Sequence, residues 1–115
     1  MTVATVDVNT GSESIRISIR GEIDLENAAT VEREILEAVS DRLTAVSVDL
    51  TNLIYMDSVG IRILFDLASR LQESDMVLEL TAPLDSPARQ LLDISGFGAL
   101  ATLPPPSSQP PSAAG

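Results

Sequence analysis

Asn52 to Leu64 reads NLIYMDSVGIRIL: one acid (Asp57), one serine (Ser58) and one glycine (Gly60) inside an otherwise largely apolar run. A serine in that setting has three chemical uses. It can cap the helix that follows by accepting a backbone N–H, attack a substrate as an activated nucleophile, or accept a phosphate. A nucleophile needs a base, and the chain has no histidine and no cysteine. That removes every Ser–His or Cys–His pair, and no Gly-x-Ser-x-Gly elbow surrounds Ser58. The same absences remove most zinc sites and any disulfide framework. Capping and phosphorylation remain, and they are compatible. A helix N-terminus carries about half a positive charge and free N–H groups, so a phosphate added there leaves the helix standing.

The other reactive groups point to binding rather than catalysis. Glu22, Asp24, Asp49 and Asp57 read as strand-end acids and helix caps. No fixed loop spacing makes them a Mg²⁺ site, and an acid–base pair would need pKa values pushed apart. GFGALA, residues 96 to 101, matches Gly-x-Gly-x-x-Ala but follows a helix, whereas a dinucleotide site needs a strand before it. No phosphate-cradling loop is present, so the expectation is no cofactor, no metal and no enzymatic activity. A net charge of −10 over 115 residues repels nucleic acid and anionic membrane surfaces and suits a protein partner with a basic or mixed face. No apolar run reaches the ~18 residues of a membrane span. MTVATVDVNTG lacks the basic-then-apolar pattern of a secretory signal, so the expected address is the cytoplasm.

The elements that must position Ser58 follow from periodicity. Val3, Val6 and Val8, a turn at NTGS, then Ile15, Ile17 and Ile19 predict two strands, the second ending at GEID, residues 21 to 24. Asp24 is expected to cap a helix carrying Ala28, Val31, Ile35, Ala38 and Val39 and ending near Asp41. AVSVDL, residues 45 to 50, reads as a buried strand, and TNLIYMD as a connection. Ser58 is expected to cap a second helix running to about Gln72. Ile61, Ile63, Leu64, Phe65, Leu67, Ala68 and Leu71 cover an arc of roughly 200° on it, where a surface helix needs about 100°. The surplus means deep burial or a docking face, with Ile63, at the edge of the arc, the candidate exposed anchor. Gly60 reads as a point of close approach by a backbone or a kinase group. MVLEL, residues 76 to 80, is a third central strand. Ser86-Pro87 starts a short helix stopped by Gly96, and ALATL reads as a last edge strand. Strands alternating with helices predict an α/β fold.

GEID before a helix (Gly21 to Asp24), VSVDLTNLIYMDSVGIRIL (Val46 to Leu64) and RQLLDISGF (Arg89 to Phe97), in this order along the chain, resemble the landmarks of STAS domains, specifically the anti-sigma factor antagonists. The resemblance covers about Thr2 to Leu103. It implies a single STAS-like domain, residues 1–103, with a mixed curved sheet and helices packed mainly on one side. It implies partner switching: the unphosphorylated antagonist binds an anti-sigma factor and a sigma factor is released. The anti-sigma factor is often also the serine kinase that modifies the motif serine, here Ser58, and a phosphatase resets it. The partner-binding residues implied are Glu22, Asp24, Asp57, Ser58, Val59, Gly60, Arg62 and Ile63, on a monomer or weak dimer. If Glu22, Asp24 and Asp57 share one end of the fold, a phosphate of about −1.5 to −2 charges joins an acidic rim and weakens binding. Many relatives have Ser or Thr where this chain has Val59, which removes a neighbouring acceptor. The alternative is a STAS interaction module of another complex, in lipid transport or transporter regulation.

PPPSSQPPSAAG, residues 104 to 115, holds no core-type residue larger than alanine and reads as a disordered tail. Deleting Pro104 to Gly115 is expected to leave the melting temperature within a few degrees. A large drop in a thermal melt would mean the tail packs on the domain.

Overall fold

The computed structural model describes residues 3–40 and 42–96. The elements run β1 (Ala4–Thr10), β2 (Ser14–Ile23), α1 (Ala28–Ala38), β3 (Ala45–Asp49), β4 (Leu53–Met56), α2 (Ser58–Glu73), β5 (Val77–Thr81) and α3 (Pro87–Ile94). The result is one mixed five-stranded sheet and three helices, an α/β layer as the alternation predicts. The expected edge strand at ALATL and the tail lie outside the described residues.

Strand order is β1-β2-β3-β5, and β4 pairs with β2. β1 runs antiparallel to β2, joined by a short turn in which the Gly11 N–H reaches the Ser14 carbonyl at 2.8 Å. The other pairings are parallel. One edge of β2 serves two strands in succession. Its first half, Ser14 to Ser18, pairs with β3, and Gly21 to Ile23 pair with β4. The change of partner falls at a register shift between Gly21 and Glu22. Gly21 sits there at φ +100°, and a Cβ on it would overlap the Val3 carbonyl of the neighbouring strand. A β-bulge with a left-handed residue is a place for glycine.

Period-two alternation puts Ile15, Ile17, Ile19, Val46, Val48, Leu78 and Leu80 on the face the helices cover. The opposite face carries Arg16, Arg20 and Glu79 and stays open to solvent. α1 packs on β1 and β2, α2 on β4 and β5, and α3 on β4; α2 also touches both other helices. That central place explains its wide apolar arc. Ile61, Ile63, Leu64, Leu67, Ala68 and Leu71 are all buried and Phe65 is half-buried, so the arc is a buried one.

Three local expectations are corrected. The connection after β3 contains a strand, β4. Its signal is weak because it is four residues long and does not alternate: Leu53 and Met56 point in while Ile54 and Tyr55 are exposed. α1 starts at Ala28 behind Asn27, not at Asp24, and its side chains give it no cap. Val39 lies just beyond its end in extended conformation. Other boundaries follow the reading. Ser86 caps α3 by accepting the Arg89 N–H at 3.1 Å, with Pro87 in its first turn. Gly96 follows α3 at φ +74°, the left-handed stop that favours glycine. α2 ends in a paired 6→1 and 5→2 motif: the Met76 N–H meets the Leu71 carbonyl at 2.9 Å, the Asp75 N–H meets that of Gln72 at 3.1 Å, and Asp75 takes φ +57°.

Gly60 faces the interior. A Cβ there would overlap the Met56 side chain and meet Ile23 Cγ2 at 3.5 Å. The close approach expected of a backbone or kinase group is made by the side chain of Met56 on the protein's own β4. Gly60→Ala is therefore expected to lower stability by about 1–3 kcal/mol through overpacking, although alanine is the better helix former by about 1 kcal/mol. Urea denaturation measures this; a gain would mean that Met56 moves aside and helix propensity wins.

Candidate functional site

The site forms where β2 and β4 end side by side. Glu22 is in register with Tyr55 and Ile23 with Met56. One residue further, the Asp57 N–H donates to the Ile23 carbonyl at 3.3 Å. The chain then turns into α2. Asp57 has extended backbone and its Oδ1 accepts the Val59 N–H at 3.0 Å, while its carbonyl accepts the N–H of Gly60 at 3.0 Å. Asp57 is thus the N-cap and Ser58 the first helical residue, which corrects the expectation that Ser58 caps. Both types are favoured caps, and spacing alone does not separate adjacent candidates. The capping duty falls to Asp57, which leaves the Ser58 hydroxyl exposed at the positive end of a 16-residue helix.

The loop after β2, at the same end of the sheet, is braced by a residue that sequence reasoning passed over. Asn27 Nδ2 donates to the Glu22 carbonyl at 2.8 Å, and its Oδ1 accepts the Asp24 N–H at 3.1 Å. Asp24 does not cap α1 with its side chain; its Oδ1 accepts the Glu26 N–H at 2.8 Å inside the same loop. Asn before AAT was a start signal in the sequence, since asparagine is a favoured N-cap, but its side chain turns back to the loop. Glu22 is exposed, and Asp24 and Asp57 are half-buried. The pairing of β2 with β4 brings all three to one end of the sheet. Asp49 is engaged elsewhere, bound to Arg16 at 2.8 Å and to the Thr51 N–H at 2.9 Å. Burial alone would raise its pKa; the hydrogen bonds from Thr51 and the Arg16 charge outweigh that and hold it below the usual carboxylate value.

Beside Ser58 a shallow groove of about 250 Å³ separates α1 from α2, lined by Leu25, Ala28, Val59, Arg62, Ile63 and Asp66, among others. Arg62 is exposed and Val59 half-buried. Ile63 is 5% exposed and belongs to the core. It forms part of the groove wall and is not the projecting anchor expected of it. Leu25, at 79% exposure, projects instead. It is an apolar residue outside the helical period directly after GEID, and that is the signal that could have found it.

All seven basic residues are arginines, so neither lysine nor histidine is available to activate Ser58. What the geometry supplies is an exposed hydroxyl on a stable helix end, between acids and a small apolar rim.

The STAS domain family model matches residues 5–105. The chain belongs to the STAS domain family. Among curated proteins it is similar to the anti-sigma-F factor antagonist RsfB of Mycobacterium tuberculosis, 41% identical over 58 residues, 50% of this chain and 48% of RsfB. The match thus spans about half the length of that relative. Among solved structures the STAS domain resembles an anti-sigma factor antagonist from Mycobacterium paratuberculosis, with TM-score 0.79 and 25% identity over 90% of this chain and 86% of the other. It also shares the fold of the anti-sigma factor antagonist SpoIIAA in its unphosphorylated form, with TM-score 0.71 and 20% identity over 90% and 91% of the two chains. Each of these three proteins is named as an antagonist of an anti-sigma factor.

The cap assignment is testable. Asp57→Ala is expected to cost about 0.5–2 kcal/mol and Ser58→Ala well under that, both read from urea denaturation. The reverse order would return the cap to Ser58.

Proposed function

We propose that this STAS domain is an anti-sigma factor antagonist acting by partner switching. Its unphosphorylated form binds an anti-sigma factor, which is also the kinase, and frees a sigma factor. Phosphorylation of Ser58 blocks the binding, and a phosphatase restores it, all in the cytoplasm. The observation that carries this reading is the exposure of Ser58 one residue past a cap that does not need it. The serine can be charged and discharged without loss of the helix. The names of the similar proteins support the antagonist role, and the fold itself is known in a phosphorylated form in the Bacillus protein SpoIIAA.

The proposed contact surface comprises Glu22, Asp24, Asp57, Ser58, Val59 and Arg62, with Leu25 added as its projecting apolar residue. Gly60 and Ile63 shape that surface from beneath. A phosphate on Ser58 adds about −1.5 to −2 charges to a rim already holding three acids. Like charges facing each other in a desolvated interface cost several kcal/mol, and each 1.4 kcal/mol is tenfold in affinity. The switch is then a change of about a hundredfold or more.

The test titrates an anti-sigma factor with the unmodified protein and with protein phosphorylated enzymatically, intact mass confirming one phosphate. Weaker binding of the phosphorylated form by about a hundredfold is expected, with Ser58→Ala binding like the unmodified protein and accepting no phosphate. Ser58→Asp, with about half the charge, is expected to lie between them. Equal affinities of the two forms would sink the switch. Phosphate on another residue would sink the site, and no binding in either form would leave a STAS module serving a different complex.

A further inference from the structure

β1 forms one edge of the sheet. Its seven residues pair with β2 in unbroken register. The Glu22 N–H donates to the Val3 carbonyl and the Gly11 N–H to the Ser14 carbonyl. In an antiparallel pair, backbone groups face the partner at every second residue, so the odd-numbered residues of β1 turn their N–H and C=O toward β2. Ala4, Val6, Val8 and Thr10 turn theirs outward, where, among the described residues, no strand pairs with them. Stable sheets blunt such an edge with proline, lysine, bulges or brevity. ATVDVNT has none of these, and its one charge, Asp7, lies on the open face beside Arg20. The side chains of Ala4 and Val6 are half-buried against the core, and Val8 on the same row is 42% exposed. The row is apolar but incompletely covered.

We propose that β1 pairs antiparallel with β1 of a second copy of this chain about a two-fold axis at Val6. An isologous contact requires an edge complementary to itself, and outward residues must meet outward residues. A two-fold at Asp7 meets that condition but sets Asp7 against its own copy in a non-hydrogen-bonded pair, where side chains lie closest. A two-fold at Val6 makes hydrogen-bonded pairs of Val6 with Val6 and of Ala4 with Val8, and sets Asp7 opposite Thr5 of the second copy. It also joins the two half-covered apolar rows into one. Asp7 is already held by Arg20 of its own chain at 3.4 Å on the open face. A charge of −10 on each copy opposes the contact, so association is weak and strengthens as salt screens the repulsion. The proposal is independent of the partner-switching reading.

Sedimentation equilibrium of the full chain from about 10 μM to about 1 mM, at low and at ~0.5 M salt, tests it. The dimer fraction is expected to rise with concentration and with salt, and amide exchange at Val6 and Val8 to slow as it does. Thr5→Asp opposes Asp7 twice per dimer and is expected to weaken association at least about fivefold, while Thr5→Lys strengthens it about as much. Within the monomer Thr5 is in register with Arg20, so the Asp variant keeps its fold, which a thermal melt checks. The same charge changes at exposed Gln90 are expected to have little effect. A monomer under all conditions would overturn the proposal and leave the edge to a strand of another protein or to the strand expected at ALATL. A dimer indifferent to Thr5 would place the contact on another face, and tightening by Asp7→Asn would replace the register.

Discussion

The candidate site depends on one constraint: β2 and β4 end together, in parallel. Two loops far apart in the chain, the one after Ile23 and the one before Ser58, are joined by the Asp57 N–H to Ile23 carbonyl bond and by the register of Glu22 with Tyr55. Without that pairing GEID and the Asp-Ser motif would be separate surface features. The pairing itself requires β2 to change neighbours at Gly21, whose left-handed conformation lets the strand bulge past Val3. A parallel strand that follows another along the same edge reaches further toward the C-terminal end of the sheet. That places the start of α2 at the rim, where α/β folds commonly expose their functional loops.

Three residues of the Asp57–Gly60 motif have separable physical tasks. Asp57 satisfies a free N–H at the helix start, and its own backbone is anchored to β2. Ser58 is left without a capping duty and with its hydroxyl in solvent. Gly60 lets α2 lie against Met56. The two flanking residues hold the serine still while it remains chemically free. A modification site on a sound scaffold needs both properties, because a phosphate that melted its own helix would change stability along with affinity.

The two sides of the sheet obey different physics. Under the helices, aliphatic residues fill the space with very little aromatic help, and α2 is buried broadly because it packs on the sheet and on both other helices. On the open side, Arg16 with Asp49 and Arg20 with Asp7 form cross-strand ion pairs in water. Exposed pairs of this kind contribute little to stability, but they keep that face wet. The two proposed contact surfaces are the helix-start rim around Ser58 and the outer edge of β1.

Much of this was legible in the sequence. Alternating isoleucines marked β2, a period of 3.6 marked α1 and α2, and Ser86-Pro87 with Gly96 bracketed α3, because each is a local preference written in adjacent residues. The serine at the start of α2 was also legible as a candidate, since the absence of histidine and cysteine is a property of composition. Other features were decided only by tertiary structure. β4 is too short and too irregular in pattern to announce itself, and exists because β2 offers it a free edge. Asp57 rather than Ser58 caps α2, because the backbone of Asp57 is held extended by Ile23. Ile63 is buried because α1 lies beside α2, which a single helix's periodicity does not contain. Asn27 braces the GEID loop by reaching back to Glu22 and Asp24, a use of its side-chain amide that the residue type permits and only the fold of the loop decides.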